Sequence, residues 1–307
     1  MERGPPLLVL ASTAQLLVSG GDERILPDPA SGRSRYGCGA VPEPDLVALG
    51  SSTASIISGP AFAAAAALRE RCAEQLRSRA PEQVYAAQMA RQRAALLDYC
   101  GLDEGDGVAA LLAASGTDIH LLAAQLCQPR HSVMLDPSET GSGVPAALKG
   151  RHFSAHTAYG GAVAADAALN DWHGGAFTLA PRREDGSLRE PAEVDAECAA
   201  FVDQACDAGE TVLLVLTDVS KTGLIVPSIA TALALQKRWP QRLRVLVDAC
   251  QFRLAPATVR AYLAQGLMVA LTGSKFVSGP TFCGALLAPR GLLACGAGAA
   301  QPAGVQA

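Results

Sequence analysis

The sequence predicts an α/β protein in three layers, α/β/α, with helices on both faces of a mainly parallel mixed sheet. Two observations carry this prediction. Short continuous apolar runs alternate with helical segments along the chain, which is typical of strands covered on both faces. Half of the 307 residues are hydrophobic and only 18% are charged, so the chain can bury a large core and a disordered chain is excluded.

The chain begins with a segment that shows no sustained periodicity. Residues 1–50 contain several prolines and a glycine pair, and are therefore predicted to form an extended N-terminal arm with turns. Ser58-Gly59-Pro60 then opens a helix that is predicted to run towards Arg79, because proline is favoured in a first helical turn. A second helix is predicted over residues 82–99, where Gly101 follows and stops it.

The remaining elements alternate between strand and helix. The first predicted strand, residues 108–113, leads through Ser115-Gly116-Thr117 into an Ala/Leu-rich helix. The charged segment 182–196 is predicted to be a surface excursion. Later strands are predicted over residues 212–216, 243–247, 267–271 and 283–287, and helices over 228–238 and 256–264. Residues 51–290 are thus expected to form one large domain, followed by a tail at 291–307.

Composition narrows the classes of partner. The net charge is −4 and no block of Lys or Arg occurs, so a nucleic acid is not expected as a partner. Nine scattered cysteines without a CxxC pair indicate reduced thiols and a cytoplasmic protein. No apolar run reaches the length of a membrane span, and the five histidines lack metal-site spacing, so neither a membrane nor a metal is expected.

Polar residues that follow the strands are the candidates for chemistry, because ligands bind beyond the carboxyl ends of strands in open α/β sheets. Ser115, Gly116 and Thr117 follow the first strand at a helix start, where free N–H groups and the helix dipole favour a phosphate. A simple helix cap is the alternative interpretation of the same residues.

Two later strands end in ionisable residues. Asp248 follows the strand at 243–247, and a carboxylate there needs a hydrogen-bonded or charged partner; a cap or salt bridge is the simpler alternative. Lys275, one of only four lysines, follows the strand at 267–271 on a loop with Thr272 and Ser274. A lysine in that position is a candidate amine nucleophile. The three strand ends thus offer a phosphate-binding turn, an acid that can pair with a cationic ring, and an amine that can form a Schiff base. These are the groups that a protein supplies to pyridoxal phosphate.

The segment 212–287 resembles the pyridoxal-phosphate-dependent class V aminotransferase and cysteine desulfurase family, of aspartate aminotransferase fold type I. The Asp-x-x-Gln motif of the family is matched by Asp248 and Gln251, and its Ser/Thr-x-x-Lys loop with a following Gly-Pro is matched by residues 272–280. A weaker match begins at about residue 51. The resemblance implies the large domain of a PLP-dependent transferase, pyridoxal 5′-phosphate as the cofactor, and a homodimer.

The resemblance also implies roles for individual residues. Lys275 would hold the cofactor through a Schiff base and move the α-proton of the substrate. Asp248 would pair with the pyridine nitrogen, and Gln251 would hydrogen-bond the phenolic oxygen. The resemblance places the cofactor phosphate against the turn that begins at Ser115 and against the lysine loop, with these ligands: Gly116, Thr117, Thr272 and Ser274.

The sequence departs from the family at three points. The family stacks an aromatic or histidine on the cofactor ring, whereas residues 138–143 contain neither, so Thr140 or Glu139 is expected to approach the ring. Lys221 stands where the family has an asparagine, and is either a second amine near the ring or a surface turn residue. The small C-terminal domain of the family has no counterpart after Arg290, so we expect a natural minimal form or a truncated chain.

The predicted activity follows from the resemblance. We expect an aminotransferase that acts on a small-molecule amino acid. A carbon–sulfur lyase or cysteine desulfurase-like enzyme is the first alternative, because the shared residues generate a carbanion without deciding its fate. A truncated, non-catalytic relative is the second.

Overall fold

The computed structural model describes residues 9–19, 23–50 and 54–292. Of the predicted tail at 291–307, all but the first two residues therefore lie outside the described residues. Eight strands are present: β1 Val108–Ala113, β2 His131–Leu135, β3 Gly175–Leu179, β4 Val212–Asp218, β5 Ile225–Val226, β6 Leu243–Ala249, β7 Met268–Thr272 and β8 Gly284–Pro289. The helices are α1 Thr13–Leu17, α2 Gly59–Gln75, α3 Pro81–Tyr99, α4 Gly116–Cys127, α5 Val144–Leu148, α6 Pro191–Asp207, α7 Ile229–Arg238 and α8 Pro256–Ala264.

The strands form one mixed sheet in the order β1-β8-β7-β6-β4-β2-β3, with β5 paired to β4. Strands β7, β6, β4, β2 and β3 are parallel to their neighbours in that series, while β8 runs antiparallel to both β7 and β1. Strand β1 consequently points the same way as β7. The carboxyl ends of β1, β4, β6 and β7 therefore meet at the same edge of the sheet, which is the edge predicted to bind a ligand.

Both faces of the sheet are buried, as the continuous apolar runs predict. On β4, Leu214 and Leu216 pack into a core with residues of α6, α7 and α8, while Leu213 and Val215 pack into a second core with residues of α4 and α5. The alternation follows from the period-two geometry of a strand. The three-layer α/β prediction is confirmed.

The predicted elements agree with the structure wherever the apolar run is long. The strand at 108–113 and the helix at 256–264 have the predicted bounds, and the other predicted strands begin within one residue of their observed starts. Sequence reasoning missed α1, which lies in the predicted extended arm, and also β2, β3, β5, α5 and α6. Strand β2 has an uninterrupted apolar run of only three residues, Val133 to Leu135, and β3 begins with a glycine and contains Thr178.

The prediction of a surface excursion over residues 182–196 is wrong from Pro191 onwards. Arg182 to Gly186 do lie in an exposed turn, but Pro191 begins the 17-residue helix α6. The charged residues around the start of this helix are typical of a loop and led to the wrong prediction. Val194, Cys198 and Val202 recur at helical spacing and are buried against the sheet. Among the described residues, no helix is long and apolar enough to cross a membrane.

Leu246, on β6, is completely buried in the core beneath α4. Replacing it with alanine removes three buried carbon atoms from a packed interior, so we expect Leu246→Ala to lower the free energy of unfolding by about 3 kcal/mol. Urea denaturation followed by circular dichroism measures this. Leu188→Ala is the matched control, because Leu188 is 49% exposed and its loss should cost less than about 0.5 kcal/mol. Equal losses in the two variants would contradict the placement of Leu246.

Candidate functional site

A cavity of about 520 Å³ opens at the carboxyl edge of the sheet. Its size is that of a site for a cofactor-sized molecule. All nine residues predicted to bind a cofactor or act on a substrate line this cavity, although they come from four separate parts of the chain. They are Ser115, Gly116, Thr117, Thr140, Asp248, Gln251, Thr272, Ser274 and Lys275. The structure thus brings the predicted residues together, while their individual roles stay predictions.

Helix α4 begins at the cavity wall. Ser115 is its N-cap, and the Ser115 hydroxyl accepts a hydrogen bond from the Asp118 N–H at 3.3 Å. A Cβ atom on Gly116 would lie 3.0 Å from the Cys250 sulfur, so the absence of a side chain lets the helix start approach the end of β6. The cap interpretation of Ser115 is correct, and the first-turn N–H groups still face a cavity suited to an anion.

Arg24, in the N-terminal arm, lies against the same helix start. Its guanidinium donates to the Ser115 hydroxyl at 3.1 Å and to the Thr117 hydroxyl at 3.3 Å. The rings of Phe153 and Phe282 flank it, each with its centroid 5.0 Å from the guanidinium carbon. Sequence reasoning missed this residue, because no periodic pattern or motif marks an arginine in an irregular segment.

Asp248 is buried at the end of β6 and has two partners. One carboxylate oxygen accepts a hydrogen bond from the Cys250 N–H at 3.1 Å, and the other lies 3.3 Å from Nε2 of His120. Burial by itself would raise the pKa of Asp248. The positive charges of His120 and Lys275 lower the pKa by more than burial raises it, so it lies well below its ordinary value. The prediction that this carboxylate has a charged or hydrogen-bonded partner is confirmed.

The lysine loop is held in place from both sides. The Ser55 hydroxyl donates to the Lys275 carbonyl at 2.7 Å, and the Ser55 N–H donates to the Ser274 carbonyl at 2.8 Å. Within the loop, the Thr272 hydroxyl donates to the Cys250 carbonyl. The proton of that hydroxyl is therefore engaged between β7 and β6. Lys275 is close enough to Asp248 for its charge to lower the pKa of that acid.

Glu139 and Thr140 both line the cavity, and the expected approach of one of them to a cofactor ring stays a prediction. Its buried carboxylate accepts hydrogen bonds from the Thr222 hydroxyl at 2.7 Å, the Ser220 hydroxyl at 2.8 Å and Arg182 Nε at 3.2 Å. Burial raises the pKa of Glu139, but these three donors outweigh burial, so the pKa lies below its ordinary value. Glu139 therefore joins the loop after β2 to the loop after β4. Its neighbour Thr140 is the residue that presents an unengaged group.

Two buried hydroxyls on the cavity wall are without a hydrogen-bond partner within the described part of the chain. They belong to Thr140 and to Thr217. Thr217 pairs with Asp248 across β4 and β6, so the two side chains project from the same face of the sheet. An unpaired buried hydroxyl costs free energy unless a ligand or water completes it, so both hydroxyls are available to a polar ligand atom or a water.

Lys221 lies in a turn and also lines the cavity wall, so both interpretations of this residue stay open. Its ammonium donates to the Ser138 carbonyl at 3.3 Å, and its N–H donates to the Glu139 carbonyl at 2.9 Å. Burial and the positive charge of Lys275 both lower the pKa of Lys221. The negative charge of Glu139 raises it by less, so the pKa of Lys221 lies below its ordinary value. Two lysine side chains thus face one cavity, and their repulsion favours an anionic ligand between the cavity walls.

No protein-family model matches the sequence, and no curated protein matches it. Solved structures are similar in fold. The chain is 13% identical to the glutamate decarboxylase domain of a diaminobutyrate-pyruvate transaminase and L-2,4-diaminobutyrate decarboxylase from Vibrio parahaemolyticus, with 80% of this chain and 53% of that one covered, at a TM-score of 0.50. It is 10% identical to the histidinol-phosphate aminotransferase from Clostridium acetobutylicum, covering 67% and 52%, at a TM-score of 0.43.

A structure described as SPT with PLP is 18% identical, covering 69% of this chain and 45% of that one, at a TM-score of 0.43. The chain therefore spans about half the length of each of these structures. Of the three, the Vibrio decarboxylase domain has the highest TM-score, and the likeness to it shows that this chain shares the fold of that domain.

The Glu139 cluster generates a test of the site's architecture. Glu139→Gln removes the buried carboxylate that pairs with the partly exposed Arg182 guanidinium and accepts from two hydroxyls, so we expect the free energy of unfolding at pH 7 to fall by about 1–3 kcal/mol. Because the folded-state pKa of Glu139 lies below its ordinary value of 4.5, this contribution is present above that pH and is lost as the pH falls through the folded-state pKa.

Urea denaturation of both proteins from pH 7 downwards measures the difference, which should shrink once the pH passes below 4.5. The exposed Glu184, for which Glu184→Gln makes the same change, should behave as wild type throughout. A difference that stays constant with pH would show that the Glu139 carboxylate is not the stabilising group.

Proposed function

We propose that this protein is a PLP-dependent enzyme of fold type I that acts on an amino acid through Lys275, with transamination of the class V type as its reaction. The observation that carries the proposal is the convergence of Lys275, Asp248 and the N-terminus of α4 on one cavity. These groups come from the ends of three different strands. A structural explanation for one of them leaves the meeting of all three unexplained.

The cavity has a group for each polar part of pyridoxal phosphate. The start of α4 and the Arg24 guanidinium suit the phosphate, since both attract an anion. Asp248 suits a protonated ring nitrogen, because its carboxylate is held ionised. The unpaired hydroxyls of Thr217 and Thr140 suit the remaining polar atoms of the ring or substrate. The residues present therefore fit this cofactor.

When bound, pyridoxal phosphate supplies an electron sink for a carbanion at the α-carbon of an amino acid. In this proposal Lys275 binds the cofactor covalently and afterwards carries the α-proton. Asp248 keeps the proton on the ring nitrogen. Phe153 and Phe282 flank the Arg24 guanidinium and so orient it at the cavity wall.

Transamination rests on the class V motifs in the sequence, while the carbanion chemistry is common to lyases. One observation bears on a sulfur-transfer reaction. Cys250 lines the cavity, and burial raises the pKa of its thiol well above the ordinary value. A thiol that stays protonated is a poor nucleophile, so Cys250 is unsuited to carry sulfur.

The cofactor assignment predicts covalent attachment at one lysine. Wild-type protein mixed with pyridoxal phosphate should develop visible absorbance, and borohydride should fix the cofactor to the peptide that contains Lys275. Lys275→Ala should abolish this attachment, because the amine is gone. Lys237→Ala, on the exposed end of α7, is the matched control and should react as wild type. Mass spectrometry of the digested protein identifies the peptide, and attachment at Lys221 would overturn the choice of Lys275.

The reaction is tested on a panel of amino acids. Transamination predicts a keto acid from the donor, conversion of the cofactor to its amine form, and turnover only when a keto-acid acceptor is added. Release of pyruvate or sulfide without an acceptor would instead identify a lyase. Stable cofactor binding with no turnover on the panel would identify a non-catalytic relative.

We also propose that the enzyme is a homodimer, as the family resemblance implies. Phe276 and Val277 directly follow Lys275 and are 63% and 49% exposed. An exposed apolar pair beside a cavity is suited to a protein interface. Sedimentation should give twice the mass of one chain, and Val277→Asp should shift the protein towards monomer, whereas Leu188→Asp should not. A wild-type monomer with full activity would contradict the proposal.

A further inference from the structure

We propose that His120 is a positioning residue that acts as an imidazolium and holds Asp248 ionised and oriented towards the bound cofactor. This inference rests on the proposed function, because the role of Asp248 depends on a pyridine ring in the cavity. His120 lies within α4, one turn after the cavity-facing start of that helix. No motif quoted from the sequence includes it.

The surroundings of His120 fix its protonation. The side chain is 1% exposed, Nδ1 lies 2.7 Å from the Gly116 carbonyl oxygen, and Nε2 lies 3.3 Å from a carboxylate oxygen of Asp248. A carbonyl oxygen only accepts, so Nδ1 carries a proton. In the neutral ring Nε2 would then turn a lone pair towards a carboxylate. A second proton on Nε2 removes that repulsion and makes the contact an ion pair.

The charged groups around His120 agree with this assignment. Asp248 faces it from β6 and the Gly116 carbonyl from α4, and both favour the protonated ring; Lys275, from the loop after β7, opposes it. Burial lowers the pKa of His120, but Asp248 and the carbonyl outweigh burial and Lys275, so the pKa lies above its ordinary value. The pKa of Asp248 moves the opposite way, so the proton of the pair resides on the histidine.

The contacts also restrict the orientation of the carboxylate. One oxygen accepts a hydrogen bond from the Cys250 N–H and the other lies 3.3 Å from Nε2 of His120, while the Asp248 side chain still lines the cavity. Because His120 and the turn proposed to hold the phosphate belong to the same helix, α4 would link a phosphate held at its start to the acid proposed to face the ring nitrogen. A neutral partner would preserve the packing but remove the charge that keeps Asp248 ionised.

The first test uses the protein without cofactor. Nitrogen-15 NMR of histidine-labelled protein should show both ring nitrogens of His120 predominantly protonated at pH 6.5, the ordinary histidine pKa, because the pKa of His120 lies above it. The signal is assigned by its loss in His120→Gln. If that variant fails to fold, the variant in which the other four histidines are changed to glutamine leaves His120 as the single signal.

The same measurement on Asp248→Asn isolates the cause. Without the carboxylate, burial and Lys275 dominate, so the His120 pKa should fall below 6.5. A wild-type His120 with one unprotonated nitrogen at about pH 6, or a titration that Asp248→Asn leaves unchanged, would overturn the inference.

The second test adds pyridoxal phosphate. We expect His120→Gln to weaken cofactor binding by about tenfold or more and to shift the pH profile of the bound absorbance, because a charged contact to Asp248 is lost. The matched control is His131→Gln. His131 also contacts a carboxylate, that of Glu210 at 2.7 Å, but it does not line the cavity.

The outcomes separate the inference from the proposed function. If the wild-type protein binds no pyridoxal phosphate, the proposed function is wrong, whatever the NMR result. If the wild-type protein binds the cofactor and His120→Gln matches it in affinity and pH profile, only the role inferred for His120 is wrong.

Discussion

The buried carboxylate of Asp248 is the constraint around which the carboxyl edge of the sheet is organised. It stands at the end of a strand whose neighbours on both sides are buried, so its charge must be compensated by the protein. Compensation comes from the Cys250 N–H, from His120 on α4, and from Lys275 on the loop after β7. Three elements are thereby drawn to one point, and the cavity lies where they meet.

The N-terminal arm and the segment that joins it to α2 complete this arrangement. Ser55 and Ser58 bond to the backbone of the loop that carries Lys275, and Arg24 contacts the two hydroxyls at the start of α4. A segment without regular structure therefore fixes the lysine loop and closes one side of the cavity. Elsewhere on the cavity wall, Glu139 joins the loop after β2 to the loop after β4 by accepting hydrogen bonds from the Ser220 and Thr222 hydroxyls and from Arg182.

Much of the fold and of the site was accessible from the sequence because strong local patterns coincide with buried strands. The long apolar runs gave correct positions for β1, β4, β6, β7 and β8, and strand-end polar residues led to Ser115, Asp248 and Lys275. Strand β2 was missed because only its last three residues are apolar, which is too short a run to mark a buried strand. Helix α6 was missed because a charged turn at its start resembles a loop.

The sequence by itself determined the layered α/β class and the residue types available at the strand ends, since hydrophobic periodicity and turn chemistry are local properties. The tertiary structure alone decided which side chains share the cavity. Arg24 and Thr117 are separated by more than ninety residues, and Glu139 and Ser220 by more than eighty. Their contacts follow from strand order and from how the loops pack across the sheet edge, and a local pattern carries no information about either.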